Sequence, residues 1–320
     1  MSDPESMKEP PPANSLAALR SAEAPAWTAP FLEECAQTLA PETVVTYRRK
    51  LDHFLRWWTT TQPDLPWSLK LAQQYARWLD TELRSSRTRS LHLSALRRWG
   101  RSLRERGRVS DSPWDRIVAP RLPVWLATDW LQLHEVKRLL RSFDRTRLSQ
   151  LRDAVIVRIM LKTGAREAEL AQAKIRDLHH AGSEAWLFLH SKGKRKDEPV
   201  LLMSGVKQEL ETYLLRRFPD GQFSPNAPLF TTDYDEEERP IPTREMRRRI
   251  TTALQRVGVR RPGITPLSLR LTAGKQALAK QAPLAAVQEM MRHEDIKTTK
   301  RLADQEHRKS TAAERFLNHY

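Results

Sequence analysis

Residues 151–170 read LRDAVIVRIMLKTGAREAEL and run from an apolar segment into a charged turn. The segment up to Lys162 is apolar on nearly all sides, which predicts a helix at the centre of a core. Gly164 is a natural end for that helix, because glycine readily adopts the left-handed conformation of a helix C-terminus. Arg166 then stands at the start of the next helix, where Glu169 is placed to orient it. The stretch therefore predicts a helical core that carries an arginine at its edge.

Charge is the most informative feature of the composition. The 320 residues include 55 Lys and Arg against 39 Asp and Glu, a formal net charge of +16. An excess of this size makes a polyanion the expected partner, and nucleic acid is the leading one. Hydrophobic residues make up 39% of the chain, which is enough for a packed core of one large or two smaller domains.

Other sequence features limit where and with what the protein acts. No apolar run is long enough for a membrane span, and the start of the chain lacks the pattern of a secretory signal. A single cysteine, Cys35, forms no internal disulfide and is compatible with a reducing compartment. We therefore expect a cytoplasmic protein with no membrane partner, and no metal or other cofactor is indicated.

The first part of the chain predicts a tail and a helical domain. Residues 1–35 are rich in Pro, Ser and Ala and are interpreted as a flexible N-terminal tail. Residues 36–119 contain three segments with helical spacing of apolar residues and basic outer faces, the first reading PETVVTYRRKLDHFLRWWTT (41–60). Their Trp residues lie on the apolar stripes and are assigned to the core rather than to base stacking. A proline-rich linker near residue 120 separates this domain from residues 120–320.

The second part predicts helices around a small sheet. AWLFLH (Ala185–His190) and EPVLLM (Glu198–Met203) flank SKGKRKD, which is typical of a β-hairpin with a basic tip. APLFTT (227–232) is a candidate third strand, and helices continue to the C-terminus. The fold class is thus mainly α with a small antiparallel β-sheet (α+β).

Four segments carry residue types that suit a phosphodiester. Without a metal, such a site needs cations for the phosphate, a nucleophile and a proton donor. Arginine binds two phosphate oxygens at once through its planar fork. The four candidates, in chain order, are Arg166, Lys192 on the hairpin, Arg270 in ITPLSLRLTAGKQAL and His293 in MRHEDIKTT.

Together these segments resemble the boxes of the tyrosine recombinases, the family of phage integrases and Xer-type recombinases. Its first box, T-G-x-R-x-x-E-L, is matched by TGAREAEL, and its hairpin run is matched by KGKRK, which begins with Lys192. Its second box, P-H-x-L-R-H-T, is matched in part by PLSLRLT. Its third box, G-H-x-x-I-x-x-T, is matched in part by RHEDIKTT. The resemblance covers roughly residues 36–320 and implies a helical core-binding (SAM-like) domain followed by a catalytic-type domain.

The same resemblance implies which residues would touch DNA. Arg166, Lys192, Arg270 and His293 would bind a DNA phosphate, and Glu169 would support them. Further candidate DNA contacts are Arg48, Arg49, Arg87, Arg89, Arg97, Lys194, Arg195 and Lys196.

Two departures from the family pattern bear on the chemistry. The nucleophilic tyrosine of the family falls on Leu302, and the second-box histidine, its general acid/base, falls on Leu267. In addition, Leu271 replaces a frequent histidine and Arg292 replaces the glycine before His293. A leucine cannot form a phosphotyrosyl ester, so the resemblance implies a phosphate site that has lost its cutting groups.

Three functions are compatible with the sequence. The first is a catalytically inactive DNA-binding member of the family with an accessory, architectural or regulatory role in DNA recombination or integration. The second is an active recombinase with a displaced nucleophile, such as Tyr213, Tyr234 or Tyr320. The third is a protein-interaction or structural protein that no longer binds DNA. The expected partners are double-stranded DNA, an active recombinase, or a second copy bound through the amphipathic tail AAERFLNHY (312–320).

Overall fold

The structure, a computed structural model, describes residues 24–120, 129–191, 196–232 and 238–310. The chain divides into two compact units, Met1–Val124 and Trp125–Tyr320. No helix among the described residues has the length and apolar character needed to cross a membrane.

The first unit is built from four helices around an aromatic core. The helices are α1 (Thr28–Thr38), α2 (Pro41–Thr61), α3 (Leu69–Glu82) and α4 (Ser86–Glu105), and a short 3-10 helix follows at Pro113–Arg116. Ser68 and Ser85 cap α3 and α4 by accepting backbone N–H groups with their hydroxyls. The core is filled with large rings, as the apolar stripes predicted, and Phe54 meets Tyr75, Trp99 and Trp114 edge to face.

The predicted tail reaches too far into the chain. Residues 24–35, assigned to a flexible tail from composition, form a 3-10 turn (Ala24–Trp27) and most of α1. Phe31, Leu32 and Cys35 on α1 are buried in the core of the first unit. The spacing of these three apolar residues overrides the Pro- and Ala-rich composition around them. The earlier part of the predicted tail, residues 1–23, lies outside the described residues.

The second unit wraps helices around α6 and places a three-stranded sheet at one side. Its helices are α5 (Leu133–Arg141), α6 (Leu148–Thr163), α7 (Glu167–Gln172), α8 (Ser204–Arg217), α9 (Thr243–Arg256), α10 (Leu267–Ala279), α11 (Leu284–Met291) and α12 (Ile296–Ser310). Ten of the 16 residues of α6 are buried, which confirms the prediction of a central core helix.

The sheet is antiparallel, with the order β1 (Leu178–Ala181), β2 (Glu184–Leu189) and β3 (Glu198–Leu202). The hairpin strands were predicted, but the third strand was placed wrongly. Within APLFTT the structure has only isolated bridges, at Pro228 and Thr231. The actual third strand, LHHA, has one buried residue and three exposed ones, too short a pattern to distinguish from a loop.

Candidate phosphate-binding site

The site is built around the end of α6. Gly164 ends this helix in the left-handed conformation at φ 64° and ψ 21°. Arg166 follows as the residue before α7, and its backbone N–H donates to Glu169 Oε2 at 2.8 Å. Arg166 Nη1 donates to Oε1 of the same carboxylate at 2.6 Å, while the arginine side chain stays 40% exposed. Glu169 thus fixes both the backbone and the guanidinium of Arg166.

Glu169 is also the point at which several segments meet. Its carboxylate is buried and accepts two further hydrogen bonds, from Ser191 Oγ at 2.9 Å and from Arg292 Nη2 at 2.8 Å. Burial alone would raise the pKa of Glu169, but the charge of Arg292 and the hydrogen bonds from Arg166 outweigh it and lower the pKa. The carboxylate is therefore ionised and holds α7, the end of the β2 segment and the α11–α12 turn together.

Arg270 lies on α10 with its guanidinium buried against the same turn. Nη1 donates to the carbonyl oxygen of Gly164 and Nη2 to that of Met291. Burial and the charges of Arg166 and Arg292 lower the pKa of Arg270 to about 9, so the group is still charged at neutral pH. A guanidinium has five N–H groups, so these two bonds leave Arg270 with donors for an anion.

His293 follows the C-terminal turn of α11 and is half-buried. Burial, and then the charges of Arg270, Arg166 and Arg292, lower the pKa of His293 to about 4. The imidazole is therefore neutral at pH 7. Its Nδ1 lies 2.9 Å from the hydroxyl of the buried Thr299. When Nδ1 accepts from that hydroxyl, Nε2 carries the hydrogen and can donate to an anion.

The guanidinium groups of Arg166 and Arg292 therefore bond to the Glu169 carboxylate, and the guanidinium of Arg270 and the neutral imidazole of His293 lie nearby. The arrangement has an excess of positive charge and of N–H donors over acceptors. We call Arg166, Arg270 and His293 the arginine cradle. Its chemistry suits a phosphate, whose oxygens accept charge-assisted hydrogen bonds.

Two contributors were missed by the sequence analysis in this role. Ser191 is buried and donates to Glu169, and its only signal was its place directly before the KGKRK run. Arg292 was noted as a replacement for glycine, but its buried pairing with Glu169 was not expected, because the two residues are 123 positions apart.

Lys192, Lys194 and Arg195, predicted at the hairpin tip, lie outside the described residues. Lys196 is described and exposed. Among the candidate contacts in the first unit, Arg48, Arg49 and Arg87 are exposed. Arg89 pairs with Asp80 at 2.9 Å, and Arg97 donates to the carbonyls of Trp114 and Ile117. Those two arginines have partners within the first unit.

Leu302, predicted from the sequence to stand where the family has its nucleophile, points into an apolar cluster. Its side chain is 5% exposed and packs with Val287 and Met291. Leu271, which replaces a frequent family histidine, is a partly buried neighbour of this cluster. By contrast, Leu267, predicted from the sequence to stand where the family has its second-box histidine, is the first residue of α10 and is 41% exposed.

The tyrosines that the structure describes are occupied elsewhere. Tyr213 is buried and stacks on Phe230, with ring centroids 5.9 Å apart. Tyr75 is buried between two histidines of the first unit, and Tyr47 stacks on Phe31. Tyr234 and Tyr320, the other candidates for a displaced nucleophile, lie outside the described residues. Within the described part of the chain, no cluster of three or more His, Cys, Asp or Glu side chains could hold a metal ion.

The fold is that of the tyrosine recombinases. A lambda integrase dimer bound to a COC' core site superposes with a TM-score of 0.70 at 16% identity, covering 93% of this chain and 81% of that one. The XerH site-specific recombinase bound to its difH substrate gives a TM-score of 0.66 at 18% identity, covering 85% and 80%.

The sequence comparisons establish the family. The model of the phage integrase family matches residues 129–308, and that of the phage integrase N-terminal SAM-like domain matches residues 31–107. The chain belongs to the phage integrase family. It is similar to the tyrosine recombinase XerC of Lactobacillus delbrueckii subsp. bulgaricus, with 29% identity over 82% of this chain and 88% of the relative. It is also similar to XerD of Listeria monocytogenes, with 27% identity over 82% and 87%.

Proposed function

We propose that this chain is a DNA-binding protein of site-specific recombination that holds a DNA phosphate in the arginine cradle without cutting the strand. Its role is accessory, architectural or regulatory, beside an active recombinase or in a complex with further copies of itself. The XerC and XerD relatives are tyrosine recombinases, and the XerH and lambda integrase structures contain DNA.

The placement of Leu302 is the observation that supports binding without cleavage. A hydrocarbon side chain has no oxygen to attack phosphorus, and this one is packed against Val287 and Met291. The tyrosines at 47, 75 and 213 are engaged in packing, so they do not support a displaced nucleophile. Leu267 likewise cannot give a proton to a leaving oxygen.

The charge of the site supports DNA binding. Arg166 is partly exposed and is held in place by Glu169, while the buried Arg270 and the neutral His293 lie beside it. An anion would compensate the excess positive charge of this group. The net charge of +16 adds long-range attraction to DNA, and Arg48, Arg49 and Arg87 offer exposed cations in the first unit.

Two measurements on the purified chain test this function. In the first, binding to double-stranded DNA is followed by fluorescence anisotropy over a range of salt concentrations. We expect an affinity that falls steeply as salt rises, because bound phosphates release counterions. A chain that binds duplex DNA no better than a neutral control protein would instead favour the protein-interaction function.

In the second, the chain is incubated with nicked suicide substrates, which trap any covalent protein–DNA complex. We expect none. A covalent complex would establish an active recombinase, and Tyr234→Phe and Tyr320→Phe variants would then identify the displaced nucleophile.

A further inference from the structure

Arg292 has a backbone conformation that side chains rarely adopt. Its φ of 50° and ψ of 47° are left-handed. Among the described non-glycine residues, only Glu238 and Gln281 share a positive φ. Such a conformation is strained for a residue with a side chain and persists where the surroundings hold it. The family pattern has glycine here, so the arginine is a departure that needs a compensating interaction.

The compensating interactions are the hydrogen bonds that the buried guanidinium of Arg292 makes in the site. The side chain of Arg292 is 2% exposed. Its Nη2 donates to Glu169 Oε2 at 2.8 Å and to the carbonyl of Gly164 at 3.2 Å. Nη1 donates to the carbonyl of Met290 at 3.0 Å. One side chain therefore connects the end of α6, the start of α7 and the end of α11.

The acceptors of Arg292 are the groups that hold the arginine cradle. Glu169 fixes the backbone and guanidinium of Arg166. The Gly164 carbonyl accepts from Arg270 as well as from Arg292. The backbone of Arg292 also leads directly into His293. Arg166 and Arg270 thus each share an acceptor with Arg292, and His293 is joined to it by one peptide bond.

We propose that Arg292 is a positioning residue that holds the arginine cradle in its binding geometry before DNA arrives. It stays buried and keeps Glu169 in place to orient Arg166. It also fixes the carbonyl of Gly164, which accepts from Arg270 as well. The inference rests on the proposed function, since it assigns the cradle to a DNA phosphate.

A comparison with glycine and lysine at this position explains why arginine is needed. Glycine would relieve the left-handed backbone, but it would remove the ion pair and leave the buried Glu169 with fewer donors. Lysine would keep the charge, but its compact ammonium lacks the planar fork that reaches Glu169, Gly164 and Met290 together. Pre-organisation of the cradle should therefore be greatest with arginine at position 292, weaker with lysine and weakest with glycine.

The test uses the full chain and the variants Arg292→Gly and Arg292→Lys. The matched control is Gln281→Gly, which relieves a left-handed residue at an exposed position. The first readout is affinity for duplex DNA by anisotropy. The second, without DNA, is hydrogen exchange of the Arg166 amide, which donates to Glu169.

We expect Arg292→Gly to lose about tenfold in DNA affinity and to exchange the Arg166 amide faster. Arg292→Lys should fall between it and the wild type, and Gln281→Gly should match the wild type in both readouts. Wild-type affinity and wild-type protection in Arg292→Gly would overturn the proposal.

Should Arg292→Gly fail to fold, Arg292→Lys decides, and a lysine variant equal to the wild type in both readouts counts against the proposal. If the wild type itself does not bind DNA, the proposed function fails. The amide exchange of Arg166 then still determines whether Arg292 positions it.

Discussion

Leu302 of α12 packs directly over Gly274 of α10. Its Cδ2 atom lies 2.6 Å from the point that a Cβ atom on residue 274 would occupy. The two helices approach this closely because glycine has no side chain there. The same contact places the side chain of Leu302 in the apolar cluster of Val287 and Met291.

Gly274→Ala should destabilise the second unit. The new methyl group would meet Leu302 at 2.6 Å and Met291 at 3.3 Å, and both are buried. Overpacking of this kind outweighs the better helix propensity of alanine, so we expect a net loss of about 1 kcal/mol. Urea denaturation measures it. Gly205→Ala is the matched control, because a Cβ there has no neighbour within 4 Å, and it should be neutral or slightly stabilising.

The variants Leu302→Tyr and Leu267→His, which introduce the side chains of the family pattern, should differ in their effect on stability. Leu302→Tyr forces a larger, polar ring into the cluster of Val287 and Met291, and we expect a loss of about 1–3 kcal/mol. Leu267→His changes an exposed residue and should stay within about 0.5 kcal/mol of the wild type. Thermal unfolding of both variants checks the contrast. Equal stability of the two would mean that residue 302 is not packed as the structure has it.

Alanine variants of Arg166 and Arg270 should both lose DNA affinity but should differ in how much stability they lose. Arg166 is 40% exposed, so Arg166→Ala should weaken DNA binding and reduce the salt dependence by about one ion, while stability falls by less than about 1 kcal/mol. Arg270→Ala should lower both, because it also removes a hydrogen-bond donor from the buried carbonyls of Gly164 and Met291. Anisotropy and urea denaturation measure the two quantities.

Arg147→Ala is the control for this pair, since Arg147 is an exposed surface residue paired with Asp144. It should retain wild-type affinity and stability. An Arg166→Ala variant with undiminished affinity would remove Arg166 from the phosphate site.

The first unit should lose stability in mild acid because of His92. Its imidazole is buried and bonds to the Tyr75 hydroxyl at 3.0 Å. Burial, and then the charges of Lys50 and His53, lower the pKa of His92 from 6.5 to about 3. Between these two pKa values, His92 is protonated in the unfolded chain but neutral in the folded chain. The full stability is therefore present only above pH 6.5. It falls by about 1.4 kcal/mol for each pH unit between pH 6.5 and about 3.

Tryptophan fluorescence during urea denaturation at pH 7, 6, 5 and 4 follows this loss, since Trp58, Trp99 and Trp114 lie in the same core. His92→Gln keeps a hydrogen-bonding group without a titrating imidazole. Its pH dependence should be shallower by about one proton. An unchanged slope would assign the acid sensitivity to other groups, such as His53.

Local patterns in the sequence were sufficient for most of the fold. The apolar run of α6 and the glycine that ends it predicted the central helix, and the apolar stripes of the first unit predicted its tryptophan core. Prediction failed where a pattern was short or was masked by the composition around it. β1 has one buried residue, and α1 lies in a proline- and alanine-rich stretch, so neither stood out from a loop.

The candidate site likewise contains residues that the sequence predicted and residues that it did not. Arg166, Arg270, His293 and Glu169 were identified because the order and context of their segments resemble the family boxes. Ser191 and Arg292 were not expected to meet at Glu169, because hydrogen bonds across 22 and 123 positions leave no local pattern.

The sequence by itself determined which chemical groups are present. It showed which cations of the family pattern the chain keeps, and that positions 302 and 267 carry hydrocarbon side chains. Only the tertiary structure decided their environments. It buries Leu302 over Gly274 but exposes Leu267, and it buries Arg270 but leaves Arg166 open. It also stabilises a left-handed arginine with a carboxylate from another helix. The physical reason is that burial and charge compensation depend on which distant segments pack together, whereas residue type is fixed at each position independently.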